Sequence, residues 1–332
     1  MRELCLLLLL TLVSGCTGGY ALQSRIEAVA DATAITWHQP ALAADAARLA
    51  PWRSAVGSPL VVRQAATARV HTDALTLVSW NVALDAGDVV GLVRELQGSD
   101  PARPIVLLLQ EAFRSGDDVP ASPLAAEWAG FLGGSRDDRE VDAVAGALGF
   151  SAYYVPSMRN GAPGRHDEDR GNAILSNLPL DQLAAIELPF ERQRRVAVAA
   201  RVRGTTRDGR PWSLRLASVH LDNLAGAGRA WIGGELARVR QARGLREVFR
   251  GEEPTVLAGD FNTWFGFSDQ VYVETARDFP QTRVTDTRRT FRGMLRLDHV
   301  FYRLPDGWKA EVRRADSAAG SDHHPLIATI TF

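Results

Sequence analysis

The run Val256-Leu257-Ala258-Gly259-Asp260-Phe261-Asn262 constrains this chain most, because it is an apolar strand that ends abruptly in a carboxylate and an amide. Apolar runs bounded in this way read as buried strands. Asp260 and Asn262 are two residues apart, so an extended chain sends both side chains to one face. Gly259 lets another segment approach the backbone closely just before the polar pair. A carboxylate beside an amide at a strand end can position an attacking water or an anionic ester. The same Asp-x-Asn spelling also serves as an ordinary capped turn, so the pair gains weight only if other strands end alike.

They do. A strand over 75–81 ends in Asn81, and one over 105–109 ends in Gln110-Glu111. Between them a helix is expected over 88–97, with Asp88 in its first turn. A helix over 139–148 and a strand over 152–155 lead into a polar loop, 157–170, after which 171–176 reads as a strand with Asn172 near its start. The runs 196–202 and 212–219 flank Arg207-Asp208-Gly209-Arg210, whose Asp-Gly signals a hairpin and therefore an antiparallel pair. The second of them runs into His220, and an amphipathic helix over 228–249 returns the chain to the strand at Val256. A strand over 295–301 carries Asp298-His299, and Ser321-Asp322-His323-His324-Pro325 precedes a last strand over 326–330. Strands alternating with helices, plus one hairpin, imply an α/β fold with mixed sheets. Polar residues at so many strand ends point to one rim, where α/β folds place their ligands.

Singly, each polar group has a plain structural explanation: Asn81 in a turn, Glu111 in a helix first turn, His220 as a satisfied core histidine. Collectively they do not, since four of the seven histidines sit beside carboxylates or amides at strand ends. His323 and His324 are adjacent, so at most one faces a given site.

The chain has 332 residues and a formal net charge of −1, enough for one large α/β domain or two small ones and without a global pull toward polyanions. Lys309 is its only lysine, and the Arg-rich, Ala-rich usage resembles coding bias more than a nucleic-acid footprint. Residues 1–15 carry Arg2 and an apolar stretch too short to span a bilayer, ending in Val13-Ser14-Gly15-Cys16. That ending resembles a bacterial lipobox, in which the cysteine is acylated and becomes the mature N-terminus. The alternative is an ordinary secretory peptide. Only Cys5 and Cys16 are present, so cleavage leaves a lone exported thiol; lipidation at Cys16 gives it a purpose. Thr17 after the cysteine suggests the outer membrane, by resemblance to such lipoproteins. Residues 16–72 read as a tether and partly ordered arm, with a short helix over 41–49 halted by Pro51, and residues 73–332 as the domain.

The ordered set Ser-Trp-Asn81, Gln-Glu111, Arg170-Gly-Asn172, Ser-Val-His220, Gly-Asp260-Phe-Asn262, Leu-Asp298-His and Ser-Asp322-His323-x-Pro resembles the endonuclease/exonuclease/phosphatase superfamily, which includes deoxyribonuclease I and bacterial sphingomyelinases. The resemblance covers about residues 73–332. It implies a four-layer sandwich, two facing mixed β-sheets flanked by helices, and divalent-metal hydrolysis of a phosphate ester with Mg²⁺ or Mn²⁺, through Glu111 as main ligand and Asp322 directly or through water. Asp298 would hold the imidazole of His323 in its working tautomer. Asp260 would orient or deprotonate the attacking water, with Asn262 and Asn81 fixing the phosphate. His220 would donate to a nonbridging oxygen, and Arg170 and Asn172 would contact substrate. The carboxylate expected behind His220 could be Asp167, Glu168 or Asp169.

Substrate class stays open among nucleic acid, phospholipid and small phosphate. Arg192, Arg194 and Arg195 could hold phosphates, but a solvated strand edge is the simpler expectation. Trp264, Phe265 and Phe267 could contact acyl chains, stack on a base or fill the core. The leading expectation is an envelope-anchored monomeric phosphodiesterase, nuclease activity being set slightly ahead of lipid hydrolysis. A lipid-anchored binding protein on an inactive scaffold is the remaining alternative.

Overall fold

The apolar runs pair into two mixed sheets. In the computed structural model, residues 20–28, 33–64, 71–84, 86–120, 137–160, 167–223 and 232–332 are described. Cys16, the leader expected before it and the first residues of the helix expected from 228 lie outside them.

One sheet has seven strands in the order β1 (Leu22–Ala28), β2 (Ala34–Pro40), β8 (Asp181–Glu187), β9 (Val196–Thr205), β10 (Pro211–His220), β11 (Thr255–Asp260) and β12 (Asp298–Arg303). The other, also of seven, runs β13 (Lys309–Arg314), β14 (Leu326–Thr331), β4 (Ala74–Asn81), β5 (Ile105–Ser115), β7 (Glu168–Ser176), β6 (Ser151–Arg159) and β3 (Leu60–Val62). Parallel pairs β4–β5 and β10–β11 sit among antiparallel ones, which makes both sheets mixed. The Asp-Gly hairpin joins β9 to β10 as expected, with Gly209 at φ +88°.

Alternate residues of the facing strands, among them Leu77, Val106, Leu108, Val198, Leu214, Leu216, Val256 and Leu326, bury against one another between the sheets. The opposite face of the second sheet packs on α2 (Val89–Gln97) and α3 (Val141–Leu148). That of the first packs on α4 (Ile232–Val248) and α5 (Gln270–Asp278). The inner strands are thus apolar on both faces, which is why their runs read as continuous rather than alternating. Asp88 caps α2 from just outside it, accepting from the Gly91 N–H at 2.9 Å.

The stretch 16–72 supplies more order than an arm. It contributes β1 and β2 to one sheet, β3 to the other, and α1 (Ala43–Arg53). Pro51 does not halt α1 but lies inside its last turn. Arg53 at its end pairs with the buried Glu187, which also holds Arg194 at 2.7 Å. Leu49 and Trp52 of α1 pack on Met158 and Phe190. Strands β8 and β13 and helix α5 carry short or strongly polar sequences, Asp181–Glu187, Lys309–Arg314 and Gln270–Asp278, and no period flagged them.

Gly259 is where the two central strands of the first sheet meet most tightly. Its φ is +151°, and a Cβ there would lie 1.9 Å from the Val219 carbonyl oxygen. Gly259→Ala should therefore destabilise the fold by about 2 kcal/mol or more, as other steric intrusions into packed sites do; denaturant titration against wild type measures it.

Candidate active site

Strand register assembles the site. In the first sheet His220 lies opposite Asp260, and Asp260 opposite Asp298, so three strands place three ionisable residues on one rung. In the second sheet Asn81 lies opposite Gln110, and Gln110 opposite Asn172. The two rows sit at the same end of the sandwich. Asn81 bridges them, its Nδ2 donating to Asp260 Oδ2 at 3.1 Å. Directly beneath, Gln110 Nε2 donates to Ser218 Oγ at 2.9 Å, and Ser218 Oγ donates to the Leu109 carbonyl at 2.9 Å. Gln110 and Ser218 thus tie the sheets together below the site, a function their sequence gave no sign of.

Around Asp260 the spacing is close. His220 Nε2 is 3.6 Å and His323 Nε2 3.8 Å from Asp260 Oδ2. His323 Nδ1 is 2.8 Å from Asp298 Oδ2, the hydrogen bond that orients the ring. The backbone of His323 is held from two sides: Trp80 Nε1 donates to its carbonyl at 2.9 Å, and its N–H reaches Ser321 Oγ at 3.0 Å. Asn262 is not on the strand face that simple alternation implies. The strand ends at Asp260, and Asn262 adopts φ +50°, so its N–H turns back onto Asp260 Oδ1 at 2.9 Å while its Nδ2 donates to the Leu221 carbonyl at 3.0 Å.

Glu111 is aimed by backbone strain. It occupies a β-bulge in β5, between Gln110 and Ala112, with φ +55°, a region that costs a non-glycine residue of order 1 kcal/mol or more. Its carboxylate is 23% exposed, and its nearest ionisable neighbour is His220 Nε2 at 4.0 Å. It forms no protein hydrogen bond among the described residues, so its oxygens are available to a hard cation. Asp322 lies on the His323 side, 3.9 Å from Nε2, and Arg292 grips its other oxygen at 3.0 and 3.2 Å. Asp260, Asp298 and His323 form a group tight enough to hold a metal, but His323 Nδ1 is already engaged by Oδ2 of Asp298, whose buried Oδ1 alone lacks a hydrogen-bond partner among the described residues. The quarter-exposed Glu111 carboxylate is the better fit to a divalent ion.

Burial, then the neighbouring Asp298 charge, push the Asp260 carboxyl up to about 7. Burial disfavours a charged His323, yet Asp298, Asp260 and Asp322 together outweigh it and raise the imidazole to about 10. His220 moves the other way, well below its ordinary value, through burial, then Arg195, His323 and Arg170.

Four expectations need correction. Among the described residues no carboxylate stands at His220 Nδ1: Asp169 is taken by Tyr154 and Gly57, Glu168 by Asn160, and Asp167 is exposed. Arg195 Nη1 stands at His220 Nδ1 instead, 3.2 Å away. Secondly, Arg194 and Arg195 are buried rather than a solvated edge, because Glu187 and the carbonyls of Pro156 and Ser157 receive Arg194 and three neutral acceptors receive Arg195. Thirdly, Asn172 is mid-strand, since β7 begins at Glu168, and its Nδ2 is committed to the Val196 carbonyl at 2.7 Å. Fourthly, the aromatics divide: Trp264 and Phe265 are 44% and 46% exposed, while Phe267 packs on Tyr272 and His299 beneath Arg296. Arg170, half-buried, lines the small cleft that Glu111, Asn172, Arg195 and His220 share. His324 turns its ring to the Ala315 carbonyl, away from the site, and His299 bonds Thr263 Oγ1 within an aromatic cluster.

A layered sandwich with paired His–Asp and Asn–Asp contacts at one end is the layout of a family whose members are hydrolases acting on phosphate esters. The chain belongs to the endonuclease/exonuclease/phosphatase family, whose model matches residues 78–323. Among solved structures it is similar to an endonuclease/exonuclease/phosphatase from Beutenbergia cavernae, at a TM-score of 0.56 and 16% identity over 78% of this chain and 72% of that one. It is also similar to a family protein from Leptotrichia buccalis, at 0.52 and 13% identity over 78% and 100% of the two chains. A UPF0294 protein of Vibrio vulnificus is 38% identical over 82 residues, 24% of this chain and 28% of that protein, so the chain spans little more than a quarter of that curated relative.

The raised Asp260 carboxyl has a testable sign. A group whose folded value lies above its unfolded value of 3.8 stabilises the fold fully below that value and loses this as pH rises toward 7. Asp260→Asn mimics the protonated form, so in chelator it should gain stability relative to wild type between pH 4 and 7, read as a widening difference in melting temperature.

Proposed function

We infer that this protein is a divalent-metal-dependent phosphodiesterase, exported and anchored at the cell envelope through Cys16. The observation that supports the chemistry best is the convergence of His220, Asn81 and His323 on one oxygen of Asp260, beside the part-exposed Glu111 carboxylate. In this reading Glu111 holds Mg²⁺ or Mn²⁺, with Asp322 contributing directly or through water, and the ion supplies charge neutralisation at the scissile phosphate. Asp260 fixes the attacking water, with Asn81 and Asn262 locking its carboxylate in place. His323, held by Asp298, offers its Nε2 proton toward the phosphate, and His220 donates a hydrogen bond to a nonbridging oxygen. Arg170 faces the same cleft as a substrate-binding cation.

The exposed pair Trp264 and Phe265 now tilts substrate class toward an amphiphilic phosphodiester. They stand two and three residues after Asn262, beyond Thr263, and Met294, 57% exposed, lies on the loop whose Phe291 packs against His323. Interfacial aromatics beside a site suit a lipid substrate for a membrane-tethered enzyme. Nuclease activity is the second reading, supported by Arg170 and by Arg289 and Arg292 around the same loop.

Purified, delipidated protein should hydrolyse bis(p-nitrophenyl) phosphate with Mg²⁺ or Mn²⁺ and stop in EDTA. Glu111→Gln should cost at least about 100-fold in kcat/KM, while His324→Ala stays near wild type; full activity in EDTA would overturn the metal assignment. Trp264→Ser with Phe265→Ser should lower turnover of phospholipid vesicles at least tenfold while leaving the small diester unchanged. If instead DNA is cleaved with a steep salt dependence and vesicles are untouched, the nuclease reading replaces the lipid one.

A further inference from the structure

We propose that Arg195 is a positioning residue that fixes His220 as the tautomer with its proton on Nε2, so that His220 presents a hydrogen-bond donor to the cleft. The inference rests on the phosphodiesterase reading only for its kinetic consequences; the geometry stands without it.

Arg195 immediately precedes β9, and the pairing of β9 with β10 brings it beside His220. Its Nη1 is 3.2 Å from His220 Nδ1. A guanidinium has donors only and stays charged, so the nitrogen facing it must accept. A proton on Nδ1 would set two donors head to head. The ring proton therefore belongs on Nε2, which is the nitrogen that faces Asp260 at 3.6 Å and Glu111 at 4.0 Å.

The guanidinium cannot easily leave. Arg195 is 6% exposed, and its Nη2 donates to Gln193 Oε1 at 2.9 Å and to Asn223 Oδ1 at 3.1 Å. These acceptors are neutral, and no carboxylate lies within ion-pair distance of Arg195 among the described residues. Asp222, a candidate counter-ion, directs Oδ2 to the N–H groups of Arg192 and Gln193. A buried guanidinium without a carboxylate partner is costly to keep; its contact with His220 gives it a purpose that packing alone does not. A carboxylate in the same place would do the reverse, accepting a hydrogen bond from an Nδ1–H and favouring the imidazolium. The two histidines beside Asp260 are thus built as opposites. His323 has an acceptor behind it and His220 a donor.

The decisive measurement is the tautomer of His220 in the full-length, ¹⁵N-labelled wild-type protein, by long-range ¹H–¹⁵N correlation. The signal is assigned by its loss in His220→Asn. An unprotonated Nδ1 and a protonated Nε2 are expected, with no metal or substrate needed. Arg195→Met should release the ring to a mixture of tautomers and lower kcat on bis(p-nitrophenyl) phosphate about 10- to 100-fold, with KM within about twofold. Arg195→Lys, which keeps one donor, should restore the Nε2–H tautomer and most of the lost rate. A wild-type His220 protonated on Nδ1 would overturn the proposal, even if Arg195→Met failed to fold. So would an Arg195→Met protein that keeps both tautomer and kcat, or one whose only defect is a raised KM, since that marks a residue binding the anion itself. If no diester is hydrolysed, the phosphodiesterase reading fails while the tautomer measurement still decides this one.

Discussion

The site depends on one rung of one sheet. His220, Asp260 and Asp298 are strand neighbours, and the hydrogen-bond ladder sets their spacing before any side chain interacts. Side chains alternate with a period of two, so a slip of one residue between β10 and β11 would turn Asp260 into the helix layer and bring Gly259 to the rim. Gly259 guards against this, because only a residue without Cβ permits Val219 to approach so closely. The backbone thus performs most of the positioning, and the side chains add the last few tenths of an ångström.

That rung creates an electrostatic problem, since Asp260 and Asp298 are both buried and adjacent. Burial first, and then the neighbouring Asp298 charge, make Asp260 hold its proton to about 7. His323 between them relieves the crowding, and its own charge is held by the same pair. Asn81 and the Asn262 N–H supply two further donors to Asp260. A divalent cation at Glu111 would shift this balance again, toward the ionised carboxylate. The arrangement is a set of mutually dependent charges, each stabilised only while the others are in place.

Much of this was legible in the sequence, for a physical reason. Central strands must be apolar on both faces, so a polar residue is conspicuous where such a run stops, and Asn81, His220 and Asp260 all stand at such stops. What failed to show follows the same logic in reverse. Strands β1, β3 and β13 lie at sheet edges and carry mixed patterns, and α5 is short and largely polar. The turn at Asn262 depends on a left-handed residue that strand alternation could not reveal. Three consecutive-looking arginines had separate fates, with Arg192 exposed, Arg194 on Glu187 and Arg195 on His220. Local composition cannot separate them, because their partners come from distant strands.

The placement of β1, β2 and β3 has a consequence for where this protein can be cut. They are the outermost strands on one side of both sheets, covering β8 in one and β6 in the other. A chain begun at residue 73 as a minimal catalytic unit would bare two short ladders of unpaired N–H and C=O groups, at the apolar stretches Ala184–Ile186 and Ala152–Tyr154. Such edges template pairing with other chains. The strands that precede residue 73 are therefore also the protein's own protection against strand-to-strand aggregation, and a truncation that preserves residues from Tyr20 onward keeps it.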